Sequence, residues 1–154
     1  MSTSEIGLSA ELTATYATWG RRAGGFVIDA VIAYLPSLIG GLIYEATVDA
    51  SGRPSTFGRI VDLIGIAIAL GVLVYNRWIR GGSTGKSWGR SVMRIRLVGK
   101  QTGRPIGPGR AFLRDLCHTV DSLVFLVGWL LPLWDAKRQT FADKIMKTVV
   151  RPAP

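Results

Sequence analysis

The chain has 154 residues, of which 48% are hydrophobic and 19% charged, and its formal net charge is +9. The length suits a single domain. The apolar fraction excludes a disordered chain, and the single cysteine, Cys117, excludes a disulfide scaffold. Excess positive charge favours nucleic acid or anionic lipid as a partner. The distribution of the apolar residues decides for lipid, so no nucleic-acid partner is expected.

Three long apolar stretches cover residues 24–44, 60–79 and 116–134. A helix rises 1.5 Å per residue and needs about 20 residues to cross the hydrocarbon core of a bilayer, so each stretch is long enough to span it. Helices buried in a soluble bundle normally carry a polar stripe, whereas residues 64–75 are all apolar or glycine. The predicted fold class is therefore an all-α membrane protein with three hydrophobic helical segments.

The regions outside these segments complete the predicted organisation. Residues 1–18 form a polar tail that has no apolar core of its own, so it is not a cleavable signal peptide. Residues 19–151 form one membrane domain, and residues 152–154 are a short tail. Residues 80–114 form a loop between the second and third segments.

This loop carries most of the charge asymmetry. Ten of the 19 basic residues lie between Arg77 and Arg114, where there is no acidic residue, and the loop 45–59 is balanced. Because positively charged loops stay in the cytoplasm, the basic loop and the N-terminus are predicted to be cytoplasmic in a multi-pass protein. The basic loop is then expected to contact anionic lipid headgroups.

The third segment and the residues after it conflict with this topology. The tail after Trp134 is also basic, and three complete crossings would place it outside the cell. A broken or re-entrant third segment would return the tail to the cytoplasm, and Gly128 and Pro132 mark where such a break could lie. We favour the cytoplasmic tail.

Two structures compete within the basic loop. Val92–Val98 alternates in the manner of a strand, with Met93, Ile95 and Leu97 on one face. Thr148–Arg151 would supply a pairing strand if the tail lies on the same side. Alternatively, Lys86–Leu97 is an amphipathic helix lying on anionic lipid. Both interpretations remain open at this point.

The acidic residue Asp29, inside the first apolar stretch, is the main candidate for a functional group. A carboxylate in a membrane span is costly and normally faces a partner or a water-filled cavity. Arg22 lies seven positions earlier, on the same helix face, and could reach it directly, through water or through another helix. The alternative is a pair that only fixes helix packing.

The same spacing recurs in the third segment. Arg114 and Asp121 are again seven residues apart. This recurrence suggests either a short internal repeat or coincidence. His118 lies three positions before Asp121, so the two can share a helix face, and it is a secondary candidate as a titrating partner.

Enzymatic chemistry has little support in the sequence. Gly81–Ser87 (GGSTGKS) ends like a phosphate-binding loop, but Arg80 stands where the pattern needs its first glycine. One cysteine and one histidine make no metal-ligand cluster. No enzyme activity, cofactor or metal is predicted.

Three motifs in order resemble the RDD family of small bacterial membrane proteins. They are WGRRAGGFVID at Trp19–Asp29, the central loop at Gly81–Asp115, and DAKRQTFADKIMKTVVR at Asp135–Arg151. By this resemblance Arg22 and Asp29 correspond to the family's arginine and first aspartate, and Asp143 to its second aspartate. The resemblance also implies a location in the bacterial plasma membrane.

Two functions follow from these observations. One is a small oligomeric transporter component in which Asp29 carries an ion or proton, Arg22 is its charge partner, and Asp143 is a gate or anchor on the cytoplasmic side. The other is a non-catalytic accessory or assembly subunit of a larger membrane complex.

Overall fold

The computed structural model describes residues 15–123 and 127–154. Most of the predicted polar tail and three residues of the third apolar stretch lie outside these ranges. The elements follow in this order: α1 Trp19–Ala46, α2 Thr56–Leu73, a π-helical segment Val74–Arg80, α3 Gly81–Thr84, α4 Trp88–Val92, β1 Ile95–Gly99, α5 Pro108–Leu123, α6 Val127–Leu130, a 3-10 turn Leu131–Leu133, α7 Phe141–Met146 and β2 Thr148–Pro152.

The first two apolar stretches form a helical hairpin. Trp19–Ala46 and the continuous helical run Thr56–Thr84 are long and apolar enough to cross a membrane. The hydroxyls of Thr18 and Ser55 cap their N-termini. The predicted spans are confirmed, and both helices extend beyond them because these caps, rather than the end of hydrophobicity, set where they begin.

Small residues let the two helices approach closely. A β-carbon on Gly40 would lie 2.9 Å from the Cα atom of Asp62, and one on Gly65 would lie 2.5 Å from the carbonyl oxygen of Pro36. The outward faces carry large apolar side chains that are about half exposed or more, among them Val31, Leu38, Leu42, Leu63, Ile64 and Leu70. An apolar surface of this extent is typical of a protein that contacts lipid.

The third apolar stretch is bent. Pro108–Leu123 and Val127–Leu133 meet at 109°, so together they make a broken span or a re-entrant loop. In residues 15–123 and 127–154, the helices long and apolar enough to span number two, or three if the bent pair is one span. Helix α5 also begins eight residues before the predicted start at residue 116, because Pro108 suits the first helical turn.

The polarity of α5 is inverted relative to that of a soluble helix. Its buried residues are Ala111, Arg114, His118 and Asp121, at the three- and four-residue spacing of one helix face. Its exposed residues include Leu113, Leu116 and Leu123. The charged face therefore points into the protein, and the apolar face points outward.

Residues 85–107 and 135–154, which we call the basic lobe, include a two-stranded sheet. β1 and β2 pair antiparallel, with Leu97 opposite Val150. Ile95 and Leu97 are buried and Arg96 is exposed, which confirms the predicted strand. The alternative helix over Lys86–Leu97 is wrong, because only Trp88–Val92 is helical and Arg94 adopts a positive φ of 52° that ends the turn.

The sheet also places the basic tail. Because β2 pairs with β1, the tail lies on the same side as the basic loop. Ala17, just before α1, donates its amide hydrogen to the carbonyl of Val150 at 2.9 Å. The start of α1 therefore meets the basic lobe at the same end of the hairpin.

An internal repeat relates two parts of the basic lobe. In the first, Ser87 caps α4, Arg94 has a left-handed conformation and β1 follows. In the second, Thr140 caps α7, Lys147 is left-handed and β2 follows. Each residue of the second unit lies 53 positions after its counterpart. Leu97 and Val150 are counterparts and face each other, so the units are related by a local two-fold axis.

Candidate functional site

Asp29 is buried and holds three elements together. Its carboxylate accepts hydrogen bonds from the Asn76 amide at 2.7 Å, the Ser87 hydroxyl at 2.5 Å and the backbone N–H of Gly89 at 2.8 Å. These donors come from the π-helical segment and from the start of α4. A β-carbon on Gly89 would lie 2.0 Å from the carbonyl oxygen of Gly25, so only glycine allows this approach.

Arg22 pairs with Asp143 instead of Asp29. One of its guanidinium nitrogens donates to the Asp143 carboxylate and the other to the carbonyl of Arg138. The expectation that Arg22 is the charge partner of Asp29 is therefore corrected. The two residues do share the start of α1, but the basic lobe folds onto that end of the helix and brings Asp143 to the guanidinium.

Asp143 also binds the second arginine of the repeated spacing. Arg114 donates to it through Nε at 2.9 Å and Nη2 at 2.7 Å, and the hydroxyl of Thr148 donates at 2.9 Å. Asp143 and Thr140 additionally form a capping box at the start of α7. Arg22, Arg114 and Asp143 thus form one buried ionic cluster.

The charge of Asp143 is strongly stabilised. Burial alone would raise its pKa, but the positive charges of Arg114 and Arg22 and their hydrogen bonds outweigh it and hold the pKa well below its usual range. The carboxylate is therefore ionised at every physiological pH. It is an anchor for two arginines and not a group that gains and loses a proton.

Asp121 occupies the place in the second half that Asp29 has in the first. It accepts from the backbone N–H of Phe141 at 2.8 Å and that of Ala142 at 3.4 Å, at the start of α7. Asp29 likewise accepts from the start of α4. The repeated arginine–aspartate spacing is therefore a structural repeat and not a coincidence.

His118 lies between Asp121 and an aromatic ring. Its Nδ1 is hydrogen-bonded to the Asp121 carboxylate at 2.6 Å. Its ring stacks on Trp129 with centroids 4.5 Å apart. The predicted pairing of His118 with Asp121 on one helix face is present, and both side chains are buried.

Sequence reasoning missed three partners. Asn76 and Ser87 complete the shell of Asp29, and Asp115 binds Arg77 through two bonds of 2.8 and 2.9 Å. The helix-capping pattern Ser87 to Arg90 was a usable signal for the start of α4. The other two partners depend on contacts that are distant along the chain.

A cavity of about 240 Å³ lies beside these clusters. Its lining includes four arginines and two tryptophans: Arg22, Arg77, Arg90, Arg114, Trp19 and Trp129. Arg90 is half-buried, and its Nη1 atom is enclosed without a hydrogen-bond partner in the described part of the chain. Among residues 15–123 and 127–154, no three His, Cys, Asp or Glu side chains are grouped as a metal site.

These clusters join the three motifs of the sequence, and comparison with known proteins identifies the family. Residues 16–147 match the RDD family. The chain belongs to the RDD family. In this RDD protein Arg22 and Asp143 are in direct contact, and Asp29 binds a different set of donors.

Two mycobacterial proteins are similar to this RDD protein. It is 36% identical to the proline-rich antigen of Mycobacterium leprae over 152 residues, covering 89% of this chain and 61% of that protein. It is 46% identical to the proline-rich antigen homolog of Mycobacterium tuberculosis over 100 residues, covering 65% of this chain and 42% of that protein. The chain thus spans less than two thirds of these relatives. No solved structure matches it.

Proposed function

We propose that this RDD protein is a non-enzymatic accessory or assembly subunit of the bacterial plasma membrane. The main support is the set of three donors that surrounds the Asp29 carboxylate, all from elements other than α1. A carboxylate that carries a proton or ion through a transport cycle has to exchange its partners. The contacts of Asp29 instead connect α1, the π-helical segment and α4, which suits a structural role.

The charge distribution supports a cytoplasmic position for the basic lobe and the N-terminus. The basic lobe contains six of the ten basic residues of the 77–114 region and those of the tail, at one end of the hairpin. The loop at the other end, between α1 and α2, has a balanced charge. The positive-inside rule then orients the hairpin with the basic lobe in the cytoplasm, near anionic headgroups.

Asp62 supports assembly with another membrane helix. It is half-buried in a groove between α1 and α2, beside Gly41, Ser37 and Glu45. In the described part of the chain its carboxylate has no hydrogen-bond donor. Carboxylates within spans normally pair with a polar group, so a donor from a second copy or from a partner helix would complete this groove.

The small number of spans also supports the role of an accessory or assembly subunit. Two long helices and one bent pair are too few to enclose a pathway, so transport would require several copies or a partner. In the mycobacterial relatives the matching region is joined to further sequence. This arrangement is consistent with a module that works as part of a larger protein or complex.

A transporter component is the second proposal, and one observation favours it. The cavity of about 240 Å³ is lined by Asp29 as well as by Arg22. In an oligomer, cavities of this kind could contribute to a pathway. This alternative requires Asp29 to exchange its donors during turnover.

The two proposals differ in what Asp29→Asn does. We would purify the protein in mild detergent from native expression and determine its partners and copy number by native mass spectrometry. We expect a stoichiometric complex with other membrane proteins, which Asp29→Asn weakens together with the protein level, because an amide nitrogen would face the donors of Asn76 or Ser87.

A matched control is Asp49→Asn, in the exposed loop between α1 and α2. It should change neither the amount of complex nor the protein level. The proposal is wrong if the protein is a homo-oligomer without partners, if reconstituted vesicles show ion flux, and if Asp29→Asn abolishes that flux while leaving folding and insertion intact.

A further inference from the structure

Arg90 differs from the other arginines that line the cavity. Arg22 and Arg114 bind Asp143, and Arg77 binds Asp115. The Nη1 atom of Arg90 is buried and has no acceptor in the described part of the chain. That atom is enclosed beside Gly81, which is not part of the cavity wall. Arg90 itself lines the cavity and has no ion pair in the described residues, so an anion in the cavity would stabilise its charge.

The electrostatics of Arg90 agree with this geometry. Burial, together with the positive charges of Arg114 and Arg77, lowers the pKa of Arg90 to about 10, although Asp115 and Asp29 act in the opposite direction. The guanidinium is still protonated at neutral pH. Its charge is nevertheless less stable than in water, because solvent is excluded and neighbouring cations repel it.

The internal repeat gives a second, independent indication. Arg90 lies 53 positions before Asp143 and is its counterpart in the first unit. In the second unit, Asp143 is an anion held by two arginines. In the first unit the counterpart is a cation, and no carboxylate is hydrogen-bonded to it in the described residues. The second unit therefore has an anion at this position, and the first unit has none.

The cavity walls indicate what kind of molecule carries the anion. Phe26 and Val27 line the cavity and are 45% and 56% exposed on the apolar face of α1. The cavity therefore opens toward the lipid-facing surface. Trp19 and Trp129 are connected by a hydrogen bond of 2.9 Å from the indole N–H to the backbone carbonyl, and aromatic residues of this kind prefer the headgroup level.

We propose that the cavity beside Arg90 binds a phosphate-type oxyanion, as presented by the headgroup of an anionic phospholipid or by free phosphate. A guanidinium matches phosphate oxygens through paired donors. The volume of about 240 Å³ is several times the roughly 30 Å³ that a water molecule takes in the liquid, so a tetrahedral oxyanion fits. This inference does not depend on whether the protein acts as an accessory subunit or as a transporter component.

The test uses the full chain in nanodiscs. One set contains phosphatidylcholine alone, a second contains added phosphatidylglycerol, and a third contains phosphatidylcholine with inorganic phosphate in the buffer. We would measure retained phosphatidylglycerol by native mass spectrometry and the melting temperature in all three. We expect the wild type to retain the anionic lipid and to melt at a higher temperature with it, and Arg90→Gln to weaken retention about tenfold.

The matched control is Arg96→Gln, an exposed arginine on β1 of the same lobe, which should behave as the wild type. In phosphatidylcholine alone, Arg90→Gln should melt at or above the wild-type temperature, because it removes a buried unpaired charge. If inorganic phosphate raises the melting temperature in phosphatidylcholine nanodiscs, the site accepts free oxyanion; stabilisation by phosphatidylglycerol and not by phosphate identifies the headgroup.

Three results would overturn the proposal. The first is a wild type that neither phosphatidylglycerol nor phosphate stabilises. The second is an Arg90→Gln variant that retains the anionic lipid as well as Arg96→Gln does. The third is a melting temperature of Arg90→Gln that falls equally in all three nanodisc preparations, because Arg90 would then have a structural partner within the protein.

Discussion

Arg22 donates to Asp143, which lies 121 residues later in the chain, and not to Asp29, seven residues away on its own helix. The two family aspartates therefore do different things. Asp143 binds two arginines at the end of the hairpin, and Asp29 binds the start of α4. Together, the contacts of Arg22, Asp29 and Asp143 attach the basic lobe to the helical hairpin.

Substitution of the two neighbouring arginines at the start of α1, Arg21 and Arg22, distinguishes the effect of the ionic cluster from that of positive charge in general. Arg22→Gln should lower the free energy of unfolding by about 1–3 kcal/mol, because it removes a charge-assisted hydrogen bond to a buried carboxylate. Arg21→Gln, at the exposed neighbouring position, should change it little. Thermal or denaturant unfolding in detergent measures both, and equal effects of the two substitutions would argue against the ionic cluster.

The low pKa of Asp143 predicts acid sensitivity. Because its folded-state pKa is below the unfolded value of about 3.9, its contribution to stability is complete above that value. That contribution is lost as the pH falls from about 4 toward the folded-state pKa. The melting temperature of the wild type should drop steeply below pH 4. Asp143→Asn should start lower at pH 7 and show a shallower drop, and a slope identical to the wild type would contradict the assignment.

The approach of α4 to α1 predicts the effect of a single methyl group. Gly89→Ala places a β-carbon 2.0 Å from the carbonyl oxygen of Gly25, so α4 must move away from Asp29. We expect a loss of about 1–3 kcal/mol or more. Gly109→Ala, in a helix position with nothing within 4 Å, should be neutral. Equal melting temperatures for the two variants would show that the two backbones are not in contact.

The strand pairing predicts a cross-link between the basic loop and the tail. Arg96 faces Arg151 across the sheet, at the short Cβ separation of directly opposed residues. The double substitution Arg96→Cys and Arg151→Cys, with Cys117→Ser, should form a disulfide under mild oxidation. Combining Arg96→Cys with Asp49→Cys, at the opposite end of the hairpin, should not. A tail on the other side of the membrane would give no disulfide in either variant.

Much of the fold could be predicted from local patterns. The hairpin follows from two long apolar stretches, and the strand follows from the alternation of Ile95, Arg96 and Leu97. The start of α5 at Pro108 could not, because its first two turns contain Arg110, Arg114 and Asp115 and the apolar count began the segment at residue 116. The seven-residue spacing of Arg114 and Asp121 did predict that they share one face of α5.

The sequence predicted the main residues of the site but not which residues they bind. Asp29 could be singled out because a charge inside a membrane span is costly, Arg22 because it lies seven positions earlier, and Asp143 through the resemblance to the RDD family. Their partners could not, because these contacts join residues far apart along the chain. Asn76 and Ser87 are uncharged, so no charge pattern pointed to them.

The sequence distance between Arg22 and Asp143 also sets an order of events during synthesis. At roughly 5–20 residues per second, the ribosome adds the 121 intervening positions in about 6–24 s. Throughout that interval the guanidinium of Arg22 has only water or lipid headgroups to bind, while α1 and α2 are already available to the insertion machinery. We therefore expect the hairpin to enter the bilayer first and the carboxylate of Asp143 to bind Arg22 afterwards.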